Sequence, residues 1–115
     1  MRLLCSLLTG LAAGVFLAAP GQAQRASWTP GDTVRVAVLE NWPPHYLVQD
    51  DGAPTGFAVD IMEAVAERTE LTLRLVRFGD FPEAIAALEN GDVDVIPDFG
   101  IIPSRTERYA FTRPF

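Results

Sequence analysis

The sequence has little of the chemistry used by metal centres, disulfide frameworks and nucleophilic enzymes. It contains one cysteine, one histidine and no lysine among its 115 residues. Cys5 lies in an apolar N-terminal run, so no disulfide framework is expected in the rest of the chain. The single histidine, His45, matches no zinc-ligand spacing, and no nucleophile motif such as G-x-S-x-G is present. We therefore predict a protein that is not an enzyme and needs no metal or other cofactor.

Negative charge is in excess, with 15 aspartates and glutamates against 9 arginines and a formal net charge of −6. An acidic surface argues against binding of nucleic acid or of anionic lipid. A chain of this length is sufficient for one domain with a small core.

The first 23 residues have the layout of a secretory signal peptide. Arg2 precedes the uncharged run "LLCSLLTGLAAGVFLAA", and the small residues Gly21 and Ala23 lie three positions and one position before a possible cleavage site. The alternative is an uncleaved membrane anchor, because the apolar run approaches the roughly 20 residues that span a bilayer. Both interpretations place the rest of the chain outside the cytoplasm, and a cysteine-free exported chain suits a bacterial periplasm.

The remaining sequence alternates between strand and helix patterns after a polar segment over residues 24–33. Strands are predicted at 34–39, 71–76 and 93–97, helices at 58–69 and from Asp80 to Asn90, a hairpin or loop at 46–57 and a helical turn at 104–107. In the first helix, the expected inner face comprises Ala58, Ile61, Met62, Val65, Ala66 and Thr69. The β-α-β-α-β order predicts an α/β fold with parallel strands joined by crossovers.

Parallel strands with right-handed crossovers bring their carboxyl ends to one edge of the sheet, where open α/β folds bind ligands. Three stretches should therefore converge: "ENWPPH" at 40–45, "RFGDF" at 77–81 and "DFGIIPSR" at 98–105. Trp42 lies in the first of them, and the two prolines that follow restrict where it can point.

The residues at this edge also have purely structural interpretations. Trp42 is equally suited to a core or interface position, and Phe81 is suited to packing at the start of a helix. Arg105 has a planar guanidinium that matches a carboxylate, but it is also suited to a surface ion pair with Glu107 or Asp98.

Several motifs together resemble the bacterial extracellular solute-binding proteins of family 3, which are two-lobed receptors for polar amino acids and related small molecules. They are "PP" after the first strand, "GFAVDI" leading into a helix, "ALENGDVD" leading into the third strand, and "RTERYAFTRPF". The resemblance covers residues 34–115 and implies the first lobe of a periplasmic-binding-protein-like fold. It also implies that a second lobe and a returning segment would complete the receptor.

The resemblance implies a ligand-binding site at Trp42, Phe81, Gly100 and Arg105. Trp42 matches the aromatic residue that stacks on the ligand, and Phe81 matches a second pocket aromatic. Arg105 matches the arginine that binds the ligand α-carboxylate. Gly100 occupies a position that carries a hydroxyl in the family.

The sequence departs from the family pattern at two further positions. Ala58 replaces the first aspartate of "GFDVD", and Ile102 replaces a common threonine. Together with Gly100, these changes remove polar side-chain groups from the expected site. The sequence "VIPDFGI" is more similar to that of sensor-type members than to that of transport receptors.

The resemblance implies a binding lobe that serves either an ABC permease or a membrane sensor with a kinase or cyclase module. Two alternatives stay open at this point: an accessory lobe of a peptidoglycan lytic transglycosylase, and a truncated gene product without a function of its own. One lobe covers only one face of a ligand, so we expect weak binding by this chain alone.

Overall fold

The computed structural model describes residues 27–114, and the predicted leader lies outside these described residues. The elements in chain order are β1 Thr33–Leu39, β2 Leu47–Val48, β3 Pro54–Thr55, α1 Phe57–Thr69, β4 Thr72–Phe78, α2 Phe81–Asn90 and α3 Pro103–Thr106. Strands β1 and β4 pair in parallel, and β2 and β3 form the small antiparallel hairpin expected from the sequence. The predicted α/β fold is confirmed. Over the described part of the chain, no helix is long and apolar enough to cross a bilayer.

The core is built around β1, whose side chains from Val36 to Leu39 are all buried. Because successive side chains of a strand point to opposite faces, burial of the whole run means that both faces of β1 are covered. The other buried residues of this core are Val34, Tyr46, Ala58, Val59, Ala84, Ala87 and Val93. Alanines contributed by α1 and α2 allow the helix backbones to approach the sheet closely.

The third strand was predicted at 93–97, but this segment forms only an isolated parallel bridge between Val95 and Val36. The amide of Ala37 donates to the Val95 carbonyl at 2.9 Å, and the amide of Val95 donates to the Arg35 carbonyl at 3.2 Å. Pro97 has no N–H to continue the ladder, which explains why the pairing ends so soon. The parallel direction was predicted correctly, and β1 lies between β4 and this segment.

The Arg35 side chain fixes the 93–97 segment to β1 through Asp94. Its Nε and Nη2 atoms donate to the two Asp94 carboxylate oxygens at 3.0 and 2.7 Å, and the Arg35 amide donates to Oδ2 at 2.9 Å. Hydrogen bonds from the Arg35 side chain are the main cause that lowers the pKa of Asp94. This bidentate pair therefore helps to hold the 93–97 segment on β1, where the backbone hydrogen-bond ladder is short.

Helix α2 begins and ends as its sequence predicts. The Asp80 side chain accepts a hydrogen bond from the Glu83 amide at 2.9 Å, and the Glu83 carboxylate accepts one from the Gly79 amide at 3.0 Å. Both bonds satisfy amides at the start of the helix. Gly91 ends the helix in the left-handed conformation, with φ of 79°. This conformation favours glycine because it has no Cβ.

Helix α1 has a narrower buried face than the one predicted. Ala58 and Ala66 are buried as expected, but Val65 is 43% exposed, and Val59 is buried although it was not predicted to be. The helix packs against β3 and β4, and Val59 belongs to the buried core. Hydrophobic periodicity alone does not show which helix residues a neighbouring element will bury.

We expect Asp94→Asn to lower the free energy of unfolding at pH 7 by about 1–3 kcal/mol, because it removes charge-assisted hydrogen bonds from a partly buried carboxylate. The folded-state pKa of Asp94 is lowered, so its stabilisation is present above its unfolded pKa of about 3.9. It is lost as the pH falls through the folded pKa. Urea unfolding from pH 7 downward measures the difference.

Asp92→Asn is the matched control, since it neutralises an exposed aspartate two positions away. Its effect should stay within about 0.5 kcal/mol at all pH values. Equal losses for the two variants would contradict the assigned role of Asp94.

Candidate ligand-binding site at the strand ends

The turn after β1 presents Trp42 outward. The backbone amide and carbonyl of Trp42 exchange hydrogen bonds with those of Tyr46 at 3.0 and 2.9 Å, and the turn contains a cis peptide bond between Pro43 and Pro44. The Trp42 side chain is 42% exposed. A large exposed ring on a closed turn is available for contact with a ligand.

The start of α1 also holds the turn that contains Trp42, through two backbone hydrogen bonds. The amides of Phe57 and Ala58 donate to the carbonyls of Pro44 and His45 at 3.1 and 3.0 Å. These bonds satisfy the first amides of a helix that lacks a side-chain cap. Gly56 makes the approach possible, because a Cβ at this position would lie 2.6 Å from the His45 carbonyl oxygen.

Tyr46 connects this turn to the stretch after the third predicted strand. Its ring is buried, and its hydroxyl donates to the Pro97 carbonyl in a short hydrogen bond. Burial raises the pKa of Tyr46, and the negative charge of Asp98 raises it further. The phenol is therefore neutral at physiological pH and can donate this hydrogen bond.

Aromatic rings from all three strand-end stretches form one continuous wall. Trp42 meets Phe81 edge to face, with ring centroids 4.6 Å apart, and Phe81 lies 5.9 Å from Phe99. Phe99 ends the wall, and the Phe111 ring stacks on it from outside the three stretches at 6.1 Å. The predicted convergence of the strand ends therefore brings Trp42 and Phe81 into direct contact. The wall offers a ligand a continuous aromatic surface.

Arg105 lies against the far end of the wall. Its guanidinium carbon is 4.0 Å from the centre of the Phe99 ring, and Nη1 donates to the Gly100 carbonyl at 3.0 Å. Among residues 27–114, no carboxylate forms a salt bridge with this guanidinium. The ion pairs considered from the sequence, with Glu107 or Asp98, are therefore not formed. An oriented cation without a counter-charge is suited to an anionic group of a ligand.

The turn that follows Arg105 packs against Phe99 through the Tyr109 ring. The Tyr109 ring meets Phe99 edge to face at 5.8 Å, and its hydroxyl donates to Glu89 at the end of α2. Glu89 also accepts a hydrogen bond from Arg108 at 2.5 Å. The hydrogen bond to Glu89 is the main cause that raises the pKa of Tyr109.

The four residues predicted for the site thus lie along one series of contacts. Trp42 touches Phe81, and Arg105 bonds the Gly100 carbonyl, while Phe99 joins the two pairs. Sequence reasoning missed Phe99 as an individual residue. Its position directly after Asp98, in the third strand-end stretch, was the available signal.

Residues 34–115 match the family described as bacterial extracellular solute-binding proteins, family 3. The chain belongs to this family. It is 29% identical over 82 residues to the amino-acid-binding protein AabA of Dichelobacter nodosus, covering 68% of this chain and 32% of AabA. It is 30% identical over 101 residues to the probable amino-acid-binding protein YxeM of Bacillus subtilis, covering 86% of this chain and 37% of YxeM. The chain spans about a third of the length of these two curated relatives.

Solved structures of binding proteins for amino acids give the same fold. The arginine-bound form of domain 1 from TmArgBP superposes with a TM-score of 0.65 at 29% identity, covering 71% of this chain and 65% of that one. An ancestral arginine-binding protein bound to glutamine gives a TM-score of 0.67 at 28% identity, covering 71% and 36%. The L-cystine solute receptor of Neisseria gonorrhoeae gives 0.60 at 27%, covering 66% and 33%. The predicted fold, a single lobe of a periplasmic binding protein, is confirmed.

We expect Gly56→Ala to lower the free energy of unfolding by about 3 kcal/mol or more, because the new methyl group would meet the His45 carbonyl oxygen at 2.6 Å. The residue also has φ of 115°, which disfavours any side chain. Urea unfolding measures the loss.

Gly91→Ala is the matched control, since Gly91 has φ of 79° and a Cβ there would have nothing within 4 Å. It should cost only the backbone strain, about 1 kcal/mol. If both variants lose the same stability, close packing of the turn on α1 is not what requires Gly56.

Proposed function

We propose that this chain is an amino-acid-binding lobe of an exported receptor and acts by binding rather than by catalysis. The observation that carries the proposal is the guanidinium of Arg105, which lies on Phe99 without a carboxylate partner in the described residues. It stands at one end of the aromatic wall that Trp42 begins. A cation without a counter-charge in the described residues, beside an aromatic surface, fits a small molecule that carries a carboxylate and a side chain.

In this proposal Arg105 binds the ligand carboxylate and Trp42 packs against the ligand side chain. Phe81 supports Trp42 by its edge-to-face contact at 4.6 Å. Gly100 contributes its carbonyl, which orients Arg105. An aromatic face suits a cationic or planar side chain, with a contribution of about 0.5–2 kcal/mol.

The named relatives support an amino acid as the ligand class. AabA is named as an amino-acid-binding protein and YxeM as a probable one, and two of the related structures hold arginine and glutamine. Domain 1 of TmArgBP was solved in an arginine-bound form, which supports amino-acid binding by one lobe in that protein.

The family also bears on where the chain functions in the cell. The family is described as extracellular, which supports export of this chain. We propose cleavage of the leader after Ala23 and function in the periplasm, with residues 34–115 as the first lobe. A complete receptor would deliver its ligand to an ABC permease or signal through a membrane sensor. Closure of two lobes around the ligand is the conformational change that such partners would detect.

We expect the full chain to bind L-arginine or L-glutamine with a Kd on the order of 1 mM, equivalent to about −4 kcal/mol, because one lobe leaves the ligand partly in water. Arg105→Ala should weaken binding about three- to tenfold, since it removes the charge that meets the carboxylate. Titration followed by NMR, against a panel of amino acids, measures both values.

Arg68→Ala is the matched control, because it removes one positive charge from an exposed position on α1. Its affinity should stay within about twofold of the parent chain. Unchanged binding by the Arg105 variant would contradict the proposed site, and no binding of any amino acid by the parent chain would contradict the proposed ligand class.

A further inference from the structure

His45 and Asp98 form a close contact between two of the strand-end stretches. Nδ1 of His45 lies 2.7 Å from Oδ2 of Asp98, and their side chains are 34% and 29% exposed. His45 belongs to the turn after β1, and Asp98 follows the segment that lies on the other side of the sheet's central strand. The contact therefore joins parts of the chain that are far apart in sequence.

Each partner is next to a residue of the aromatic wall. The His45 ring is 5.9 Å from Trp42 and 6.1 Å from Phe57. Asp98 directly precedes Phe99, whose ring supports the Arg105 guanidinium. A change in the His45–Asp98 distance would therefore move Trp42 and Phe99 relative to each other.

The fold does not depend on this contact alone. The same two stretches are joined by the buried hydrogen bond from the Tyr46 hydroxyl to the Pro97 carbonyl. The buried bond accounts for holding the stretches together, and the His45–Asp98 contact, whose side chains are about one-third exposed, is an additional constraint.

Backbone conformation offers a competing reason for the aspartate. Asp98 has φ of 53°, in the left-handed region that aspartate, asparagine and glycine adopt more readily than other residues. The carboxylate and the backbone must therefore be tested separately.

We propose that His45 and Asp98 are positioning residues of the ligand site, which fix Trp42 and Phe99 at the separation that the ligand requires. This inference rests on the proposed function for its effect on affinity, but the placement of Trp42 is measurable without any ligand. Preorganisation of this kind improves affinity because less freedom is lost when the ligand binds.

The experiment uses the full chain carrying Trp28→Phe, so that Trp42 is the single tryptophan. Asp98→Gly removes the carboxylate but keeps a residue suited to the left-handed conformation, and Asp98→Asn keeps an oxygen acceptor as well. His45→Ala removes the imidazole, and His45→Asn keeps a donor near the position of Nδ1. Tyr46→Phe is the control that removes only the buried hydrogen bond.

Two readouts are taken for each variant. Lifetime-corrected acrylamide quenching reports the accessibility and mobility of Trp42, and NMR titration with L-arginine reports affinity. We expect Asp98→Gly and His45→Ala each to raise the quenching constant by about 1.5-fold or more and to weaken binding by about threefold or more. The double variant should be no worse than either single variant, because both remove the same contact.

The asparagine variants should remain near the parent chain in both readouts, because each keeps a polar group of similar size at its place in the contact. Tyr46→Phe should lower the unfolding midpoint, because it removes a buried hydrogen bond between the two stretches.

Three results would overturn the proposal. Parent-like behaviour of Asp98→Gly would mean that only the backbone conformation matters. Independent losses, seen either as a loss in Asp98→Gly alone or as additive losses in the double variant, would mean that the two residues do not act through one contact. An unchanged quenching constant in both deletion variants would also overturn it. If the parent chain binds no amino acid, the proposed function fails, and the quenching constants still decide whether the pair positions Trp42.

Discussion

The position of β1 is the constraint on which the rest of the structure depends. It pairs with β4 along its whole length and with Val95 on its other side, and it is buried on both faces. No other strand of the described residues has neighbours on both sides. Because all three segments run parallel, their carboxyl ends lie at the same edge, and the stretches that follow them must meet there.

The site follows from how these stretches are then joined. Two hydrogen bonds close the Trp42 turn, Tyr46 bonds the Pro97 carbonyl, and His45 contacts Asp98. Such contacts place rings from three separate stretches within 6 Å of their neighbours along the wall from Trp42 to Phe99. The wall supports the Arg105 side chain, which Phe99 and the Gly100 carbonyl orient at its end. Its cation has no counter-charge in the described region, so it is available to an anionic group of a ligand.

The sequence predicted much of this arrangement, because the signals involved are local. Helix α2 was located by Asp80, Glu83 and Gly91, and the residues around them satisfy the helix ends as expected. The length of the third strand was overestimated, because its apolar alternation does not show that Pro97 ends the hydrogen-bond ladder. The exposure of Val65 was also missed, since the packing of α1 is decided by partners that are distant in sequence.

Within the site, convergence of Trp42, Phe81 and Arg105 on one edge was predictable from topology and from the family motifs. The individual contacts were not, because they depend on side-chain directions at the ends of different strands. Arg105 was considered as a partner of Asp98. In the structure, Asp98 instead contacts His45, and Arg105 packs on the Phe99 ring. Sequence spacing does not distinguish such pairings.

The central claim is that this lobe binds an amino acid at the strand ends. Mapping of amide and side-chain NMR shifts in the ¹⁵N-labelled chain, as L-arginine is added, tests it most directly. We expect the largest shifts at the Trp42 indole, at Gly100 and at the Arg105 guanidinium, with little change on α1. Shifts concentrated instead in the apolar hollow lined by Ile61, Ala64, Val65 and Arg68, or no localised shifts at all, would contradict the account.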